Sequence, residues 1–85
     1  MRRAELVMRN ARAYILINVT LGTMDDVLDA LKQLPHVTEA YLLYGNYDIV
    51  AQVTAESITK LRELITRTIR RLPHVQSTQT LIVIM

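Results

Sequence analysis

The chain contains no cysteine, no tryptophan and no phenylalanine, and only two glycines and two prolines. Without cysteine there is no disulfide framework, no thiol nucleophile and no zinc site built on thiolates. With Gly22 and Gly45 as the only glycines, no glycine-rich loop can cradle a phosphate. No apolar run reaches the roughly 18 residues of a membrane span, and the basic start at Arg2 and Arg3 lacks the long apolar stretch of a signal peptide. A cytoplasmic protein with no membrane partner is expected. Charge of one sign is scarce too: ten Lys and Arg against eight Asp and Glu give a net +2, which by itself implies no nucleic-acid partner.

What is present is aliphatic. Of 85 residues, 51% are hydrophobic, mainly Leu, Ile and Val. A chain of this size buries only about 60% of its unfolded surface. That is more apolar material than one small core hides, so a second apolar surface buried between subunits is expected.

Residues 1–11 mix Arg2, Arg3, Glu5 and Arg9 with Ala4, Leu6, Val7 and Met8, and are assigned as an N-terminal arm or frayed terminus without function. Arg12 to Val19 is rich in β-branched residues and predicts a strand, with Ala13, Ile15, Ile17 and Val19 on one face and Tyr14, Leu16 and Asn18 on the other. After Gly22, Thr23 followed by Asp26 forms an acidic variant of a capping box. A helix is predicted from Met24 to Leu34, with Met24, Val27, Leu28, Leu31 and Leu34 as its inner stripe, stopped by Pro35.

Strands are then predicted over Val37–Tyr44 and Tyr47–Thr54, joined by a two-residue Gly45-Asn46 turn of a primed type, since both residues tolerate positive φ. Thr54-Ala55-Glu56-Ser57 offers cap-type residues for a second helix that runs to about Leu72, with Ile58, Leu61, Ile65, Ile69 and Leu72 inward, and Pro73 ends it. Val75 to Met85 is the last strand.

Leu34-Pro35-His36-Val37 recurs 38 residues later as Leu72-Pro73-His74-Val75, each time between a helix and a strand. The order is therefore two strand-helix-strand halves, βαββαβ. Right-handed crossovers put both helices on one face of a four-stranded antiparallel sheet, an α+β ferredoxin-like sandwich. The other face, with Tyr14, Leu16 and Val50, then needs a cover, and the same sheet of a second copy supplies one, as in a dimeric α/β barrel.

Chemistry is sparse. His36 and His74 are the side chains that titrate near neutrality, but they fill the same slot of a repeat and read as helix-to-strand joints. Ser57 and Ser77 lack a nucleophile-elbow context. Lys60, Arg62, Arg67, Arg70 and Arg71 concentrate positive charge on the second helix, interrupted by Glu63, and read as a solvated face. No basic-glycine-aromatic strand of an RNA-recognition domain is present. No catalytic residue, metal ligand or cofactor is assigned. Asp48, just inside a strand where Asp is disfavoured, is the oddest charge. Its carboxylate either caps the turn through backbone N–H groups or pairs with a ligand's ammonium at a subunit junction, while free amides near Gly45 receive a carboxylate.

Gly45-Asn46-Tyr47-Asp48 with Ile49-Val50-Ala51-Gln52-Val53 closely resembles the Gly-x-x-Asp motif and following strand of the effector (RAM) domain of the Lrp/AsnC, or feast/famine, transcription regulators. Leu34 to Tyr41 and Thr78 to Ile84 are similar to that family's helix-to-strand passage and last strand, so the likeness covers residues 12–85. The resemblance implies dimers paired through their sheets, rings of dimers such as octamers, and an amino acid bound at dimer-to-dimer junctions. It points to Gly45, Tyr47, Asp48, Thr78 and Thr80 as ligand contacts. The family's helix-turn-helix domain has no counterpart in the first eleven residues, so direct DNA binding is not expected. The implied function is non-enzymatic: transcription regulation of amino-acid metabolism, by sensing an amino acid or co-assembling with full-length regulators. Two rivals stay open. An ACT-type sensor would use the turn at Gly22, and a dimeric α/β-barrel enzyme would need a polar group enclosed between sheet and helices.

Overall fold

The computed structural model describes residues 11–84. The elements follow the order β1 (Ala11–Val19), α1 (Met24–Gln33), β2 (Val37–Leu42), β3 (Ile49–Ala55), α2 (Ile58–Arg67), a 3₁₀ turn (Ile69–Arg71) and β4 (Val75–Val83). The four strands lie in the order β2-β3-β1-β4 with every neighbouring pair antiparallel. This is the ferredoxin-like βαββαβ arrangement that the repeat predicts. Of the expected arm over residues 1–11, Ala11 belongs to β1 and the remainder lies outside the described residues.

Alternation along the two central strands decides which face is covered. Ala13, Ile15, Ile17 and Val19 of β1 and Ile49, Ala51 and Val53 of β3 are buried together. Val27 and Leu31 of α1, Leu61 and Ile65 of α2, and Ile69 of the 3₁₀ turn close over them. The predicted inner stripes therefore hold, with one correction. Ile58 is 50% exposed, because it opens α2 before the helix has come down onto the sheet. Among the described residues no polar or charged side chain is buried, and no helix is long and apolar enough to cross a membrane.

Two helix boundaries differ from the expectation. Of the cap-type residues Thr54 to Ser57, it is Ser57 that caps α2, its Oγ accepting from the Lys60 N–H (3.2 Å). Thr23 does not cap α1 with its side chain; its hydroxyl turns back and donates to the Thr20 carbonyl (2.6 Å). The second helix also ends earlier than Leu72. It stops at Arg67, where the Thr68 hydroxyl donates to the Leu64 carbonyl and competes with the helical ladder, and the chain tightens into the 3₁₀ turn.

The repeated Leu-Pro-His-Val segments form equivalent turns. Val37 N–H donates to the Leu34 carbonyl (3.1 Å) and Val75 N–H to the Leu72 carbonyl (3.3 Å), with proline at the second position of each. Each histidine carbonyl then ties its half to the other: His36 accepts from Thr54 N–H (3.1 Å) and His74 from Thr20 N–H (2.9 Å). Both histidines are exposed joints. The turns differ in one respect. His74 has φ of +74°, as the third residue of a type II turn requires, and is the only non-glycine residue with positive φ among those described. The left-handed conformation is unfavourable for a side chain with a Cβ, while glycine pays in unfolded-state entropy. His74→Gly is expected to stabilise the domain by about 0.5–1 kcal/mol, read as a higher urea midpoint at unchanged slope, whereas His36→Gly is expected to destabilise it.

Candidate functional site

The segment between β2 and β3 is longer than a two-residue hairpin. β2 ends at Leu42 and β3 begins at Ile49, and the Leu43 N–H to Asp48 carbonyl bond (2.8 Å) closes a loop over Tyr44, Gly45, Asn46 and Tyr47. Gly45 has φ of +146° and Asn46 is not in positive φ, so a primed two-residue turn, which needs particular positive-φ positions side by side in the ladder, is not formed. A Cβ on Gly45 would meet nothing within 4 Å; backbone conformation, not space, is what asks for glycine there.

Asp48 joins this loop to the end of β1. Its N–H donates to the Ile17 carbonyl (2.9 Å), and its Oδ2 accepts from the Val19 N–H (2.9 Å). The β1–β3 register pairs Ile17 with Ile49, and β3 begins there, so backbone pairing stops short of Val19. The carboxylate takes the place of the missing carbonyl. It does so where the β1–β4 register also shifts, between Asn18 and Val19. The Asp48 carboxylate therefore does accept a backbone N–H, but from the end of β1 and not from its own turn, and one oxygen is committed to it.

Tyr47 leans across the sheet end, its hydroxyl donating to Gln79 Oε1 (2.6 Å). Gln79 pairs with Leu16 and so lies on the face that the helices leave open. Asn18 Nδ2 donates to Ser77 Oγ (3.3 Å) on the same face. Thr78 and Thr80 pair with Ile17 and Ile15, whose side chains are buried under the helices. They share a side, as alternation requires, but it is the opposite side from Gln79. Within one chain, then, Gly45, Tyr47 and Asp48 come together, and Thr78 and Thr80 are turned away from them. Gln79, Ser77 and Asn18 are the neighbours that sequence reasoning missed; their sign was the every-second-residue spacing of Ser77, Gln79 and Leu81.

The rest of the open face mixes apolar side chains with polar ones, several of which are paired. Thr38 Oγ donates to Gln52 Oε1 (2.7 Å), and Gln52 Nε2 donates to the Tyr14 hydroxyl oxygen (2.7 Å). Tyr41 donates to Glu39 Oε1 (3.1 Å), and the hydrogen bond to that carboxylate, with its charge, raises the phenol's pKa above its ordinary 10.0. Leu16 and Val50 are half-buried, and Leu81 is exposed. A cleft of about 460 Å³ lies elsewhere, beside α2 at the opposite end of the sheet, among His36, Ala55, Glu56 and Lys60. It touches none of the candidate ligand residues. Its Lys60, Glu63 and Arg67 stand about one turn apart on α2, the spacing at which opposite charges offset one another. Among the described residues no group of three or more His, Asp or Glu could hold a metal ion.

The family model of the Lrp/AsnC ligand binding domain matches residues 12–85. The chain belongs to this family. This Lrp/AsnC domain is 40% identical over 57 residues to the regulatory protein AsnC of Escherichia coli K12, a stretch that makes up 67% of the chain and 38% of that protein. The matched stretch thus spans well under half of the regulator's length. Its fold superposes on that of the hypothetical protein PHS023 of Pyrococcus horikoshii, with a TM-score of 0.83, 36% identity, and coverage of 88% of this chain and 90% of that one. It also shares its fold with the transcriptional regulator NMB0573 of Neisseria meningitidis, solved as a complex with L-Met, at a TM-score of 0.83, 19% identity, and coverage of 95% and 54%.

The engagement of Asp48 with Val19 predicts a stability effect separate from any ligand. Asp48→Ala leaves the partly buried Val19 N–H without its acceptor and is expected to cost about 1–3 kcal/mol. Asp48→Asn retains an amide oxygen in that place and is expected to lose much less, a difference readable by urea unfolding of the two variants.

Proposed function

We propose that this Lrp/AsnC domain is a non-enzymatic, cytoplasmic amino-acid-binding module of transcription regulation that works as an oligomer. Two copies pair through their open sheet faces, dimers assemble into a ring such as an octamer, and the amino acid binds at the junctions between dimers. The module acts by sensing that amino acid or by co-assembling with full-length regulators. In either mode the ligand shifts the assembly only by binding one state more tightly than another.

The family match over residues 12–85 carries this function. The geometry supports it at three points. Asp48 has one oxygen on Val19 N–H, leaving Oδ1 for a ligand's ammonium, beside the loop of Gly45 and Tyr47. Thr78 and Thr80, turned to the other side of the sheet, would reach the ligand from a neighbouring copy's side of a junction. The hydrogen bonds among Thr38, Gln52 and Tyr14 satisfy part of the polar content of the open face, which lowers the cost of burying it. The filled, wholly apolar space between sheet and helices speaks against the enzyme reading, which needs a polar working group there.

Thermal unfolding against the twenty amino acids tests the ligand. At about 100 times its dissociation constant, an amino acid that binds only the folded state adds roughly 2.7 kcal/mol. The expected result is a shift with one or a few amino acids that Asp48→Asn abolishes while keeping near-native stability. A shift retained in Asp48→Asn but lost on substituting Gly22 would favour the ACT-type site instead; no shift with any amino acid would remove the sensor and leave co-assembly. For the pairing of sheets, Leu16→Arg places a charge in the centre of the open face and is expected to reduce the mass by sedimentation to that of species lacking the sheet contact. An unchanged mass would exclude the pairing.

A further inference from the structure

The cleft of about 460 Å³ beside α2 has no part in the site built around Asp48. Ala55 closes β3 and Asp48 stands just before its start, so about 20 Å of strand separates the two places. Two distant stretches of chain line the cleft. The turn between α1 and β2 brings His36 to it, and the His36 carbonyl accepts from the Thr54 N–H (3.1 Å), one residue before Ala55. α2 and the residues leading into it supply the rest. Half-buried Ala55 and Leu64 give an apolar lining, and Glu56, Lys60, Glu63 and Arg67 stand exposed around them in the order acid, base, acid, base. The volume falls within the range of about 300–1,000 Å³ that small-molecule sites occupy. Neighbouring charges on one helix offset each other in part, yet a carboxylate accepts, and a guanidinium donates, more hydrogen bonds than one such neighbour uses.

We propose that this cleft binds a short peptide with free termini, of dipeptide size, its ammonium at Glu63 and its carboxylate at Arg67. The alternation of charge sorts the candidates. A diamine meets Lys60 and Arg67, and a phosphate or dicarboxylate meets Glu56 and Glu63, so a ligand of one sign is opposed by half of the charges around the cleft. A zwitterion is not opposed, because each of its ends finds a group of the other sign. Spacing then separates zwitterions from one another. Glu63 and Arg67 lie four residues apart on a helix that rises about 1.5 Å per residue, so their positions are displaced by about 6 Å. The ammonium and carboxylate of an α-amino acid sit on one carbon, too close to face both. The ends of an extended dipeptide lie about 6–7 Å apart and match. Arg67 offers the planar fork that takes a carboxylate through two N–H bonds, and Ala55 and Leu64 receive an apolar side chain. This site differs from the proposed Asp48 junction in place and in ligand, and it stands or falls independently of that reading.

Isothermal titration calorimetry on the full chain tests it, with the dipeptides Ala-Leu and Leu-Ala, their N-acetylated forms and their C-terminal amides as probes. Hydrogen exchange read by mass spectrometry locates the binding. The free dipeptides are expected to bind at millimolar concentration and to slow exchange in residues 56–68, not in residues 43–48. Capping either end is expected to weaken binding about fivefold or more, since each cap removes one charged hydrogen-bonding end. Glu63→Gln is expected to weaken the free dipeptide and leave the N-acetylated form as it was. Arg67→Gln is expected to do the same for the free dipeptide and the amide. Both residues are exposed, so the fold should survive, and the comparison of capped with free peptides needs no altered protein at all. Neither heat nor protection with either dipeptide overturns the proposal. So does equal binding of capped and free forms, which marks an apolar contact only, and so does protection confined to residues 43–48, which assigns the peptide to the Asp48 loop. The thermal shift with single amino acids is expected to persist in Glu63→Gln, so failure of one site leaves the other readable.

Discussion

A four-stranded sheet has two faces, and this chain has helices for only one of them. Everything else in the domain follows from how that shortage is handled. The covered face is sealed entirely with aliphatic side chains, from Ile15, Ile17 and Ile49 on the strands to Leu31, Leu61 and Ile69 above them, and nothing polar enters. The open face is where Tyr14, Leu16, Val50 and Tyr41 stand, with Thr38, Gln52 and Tyr14 linked by hydrogen bonds. A surface of that kind is suited to a partner, and the core of the other kind holds no polar side chain among the described residues. The division between the two faces is the physical basis for reading the domain as a binding and assembly module.

Asp48 serves the fold through both its backbone and its side chain. Its backbone closes the loop at Leu43 and joins Ile17, and its side chain continues the β1 ladder to Val19 after β3 has ended. An Asp at the start of a strand is unfavourable by propensity. Here the geometry rewards it, because a carboxylate reaches a backbone N–H that the departing chain cannot. One oxygen is occupied by this task, which fixes the direction of the other.

The repeat is instructive in its inequality. Both Leu-Pro-His-Val turns pin their own half to the opposite half through a histidine carbonyl, so the two strand-helix-strand units cannot separate without breaking both ties. Yet among the described residues only His74 is held in positive φ outside glycine, although both β2 and β4 meet their neighbours through a register shift just after the turn. Identical four-residue sequences thus take different backbone forms. The strain sits on the edge where β4 must align with the end of β1, close to the candidate site.

Local sequence was sufficient for the elements and their faces. Period-two runs around Ile15 and Ala51, helical stripes through Leu31 and Leu61, and two prolines placed after helices dictate βαββαβ, because each signal depends on neighbours a few residues away. The Gly45–Asp48 motif marked the break between β2 and β3 for the same reason. Tertiary structure decided what depends on distant partners. The loop spans Leu43 to Asp48 because Asp48 is drawn to β1, which no local turn preference encodes. The Thr23 hydroxyl is taken by Thr20, and Ile58 stays outside because of where α2 lands. Tyr47 meets Gln79, while Thr78 and Thr80 face the helices, because β4 lies beside β1 in one particular register. Alternation alone tells which residues share a face; only the pairing of strands tells which face that is.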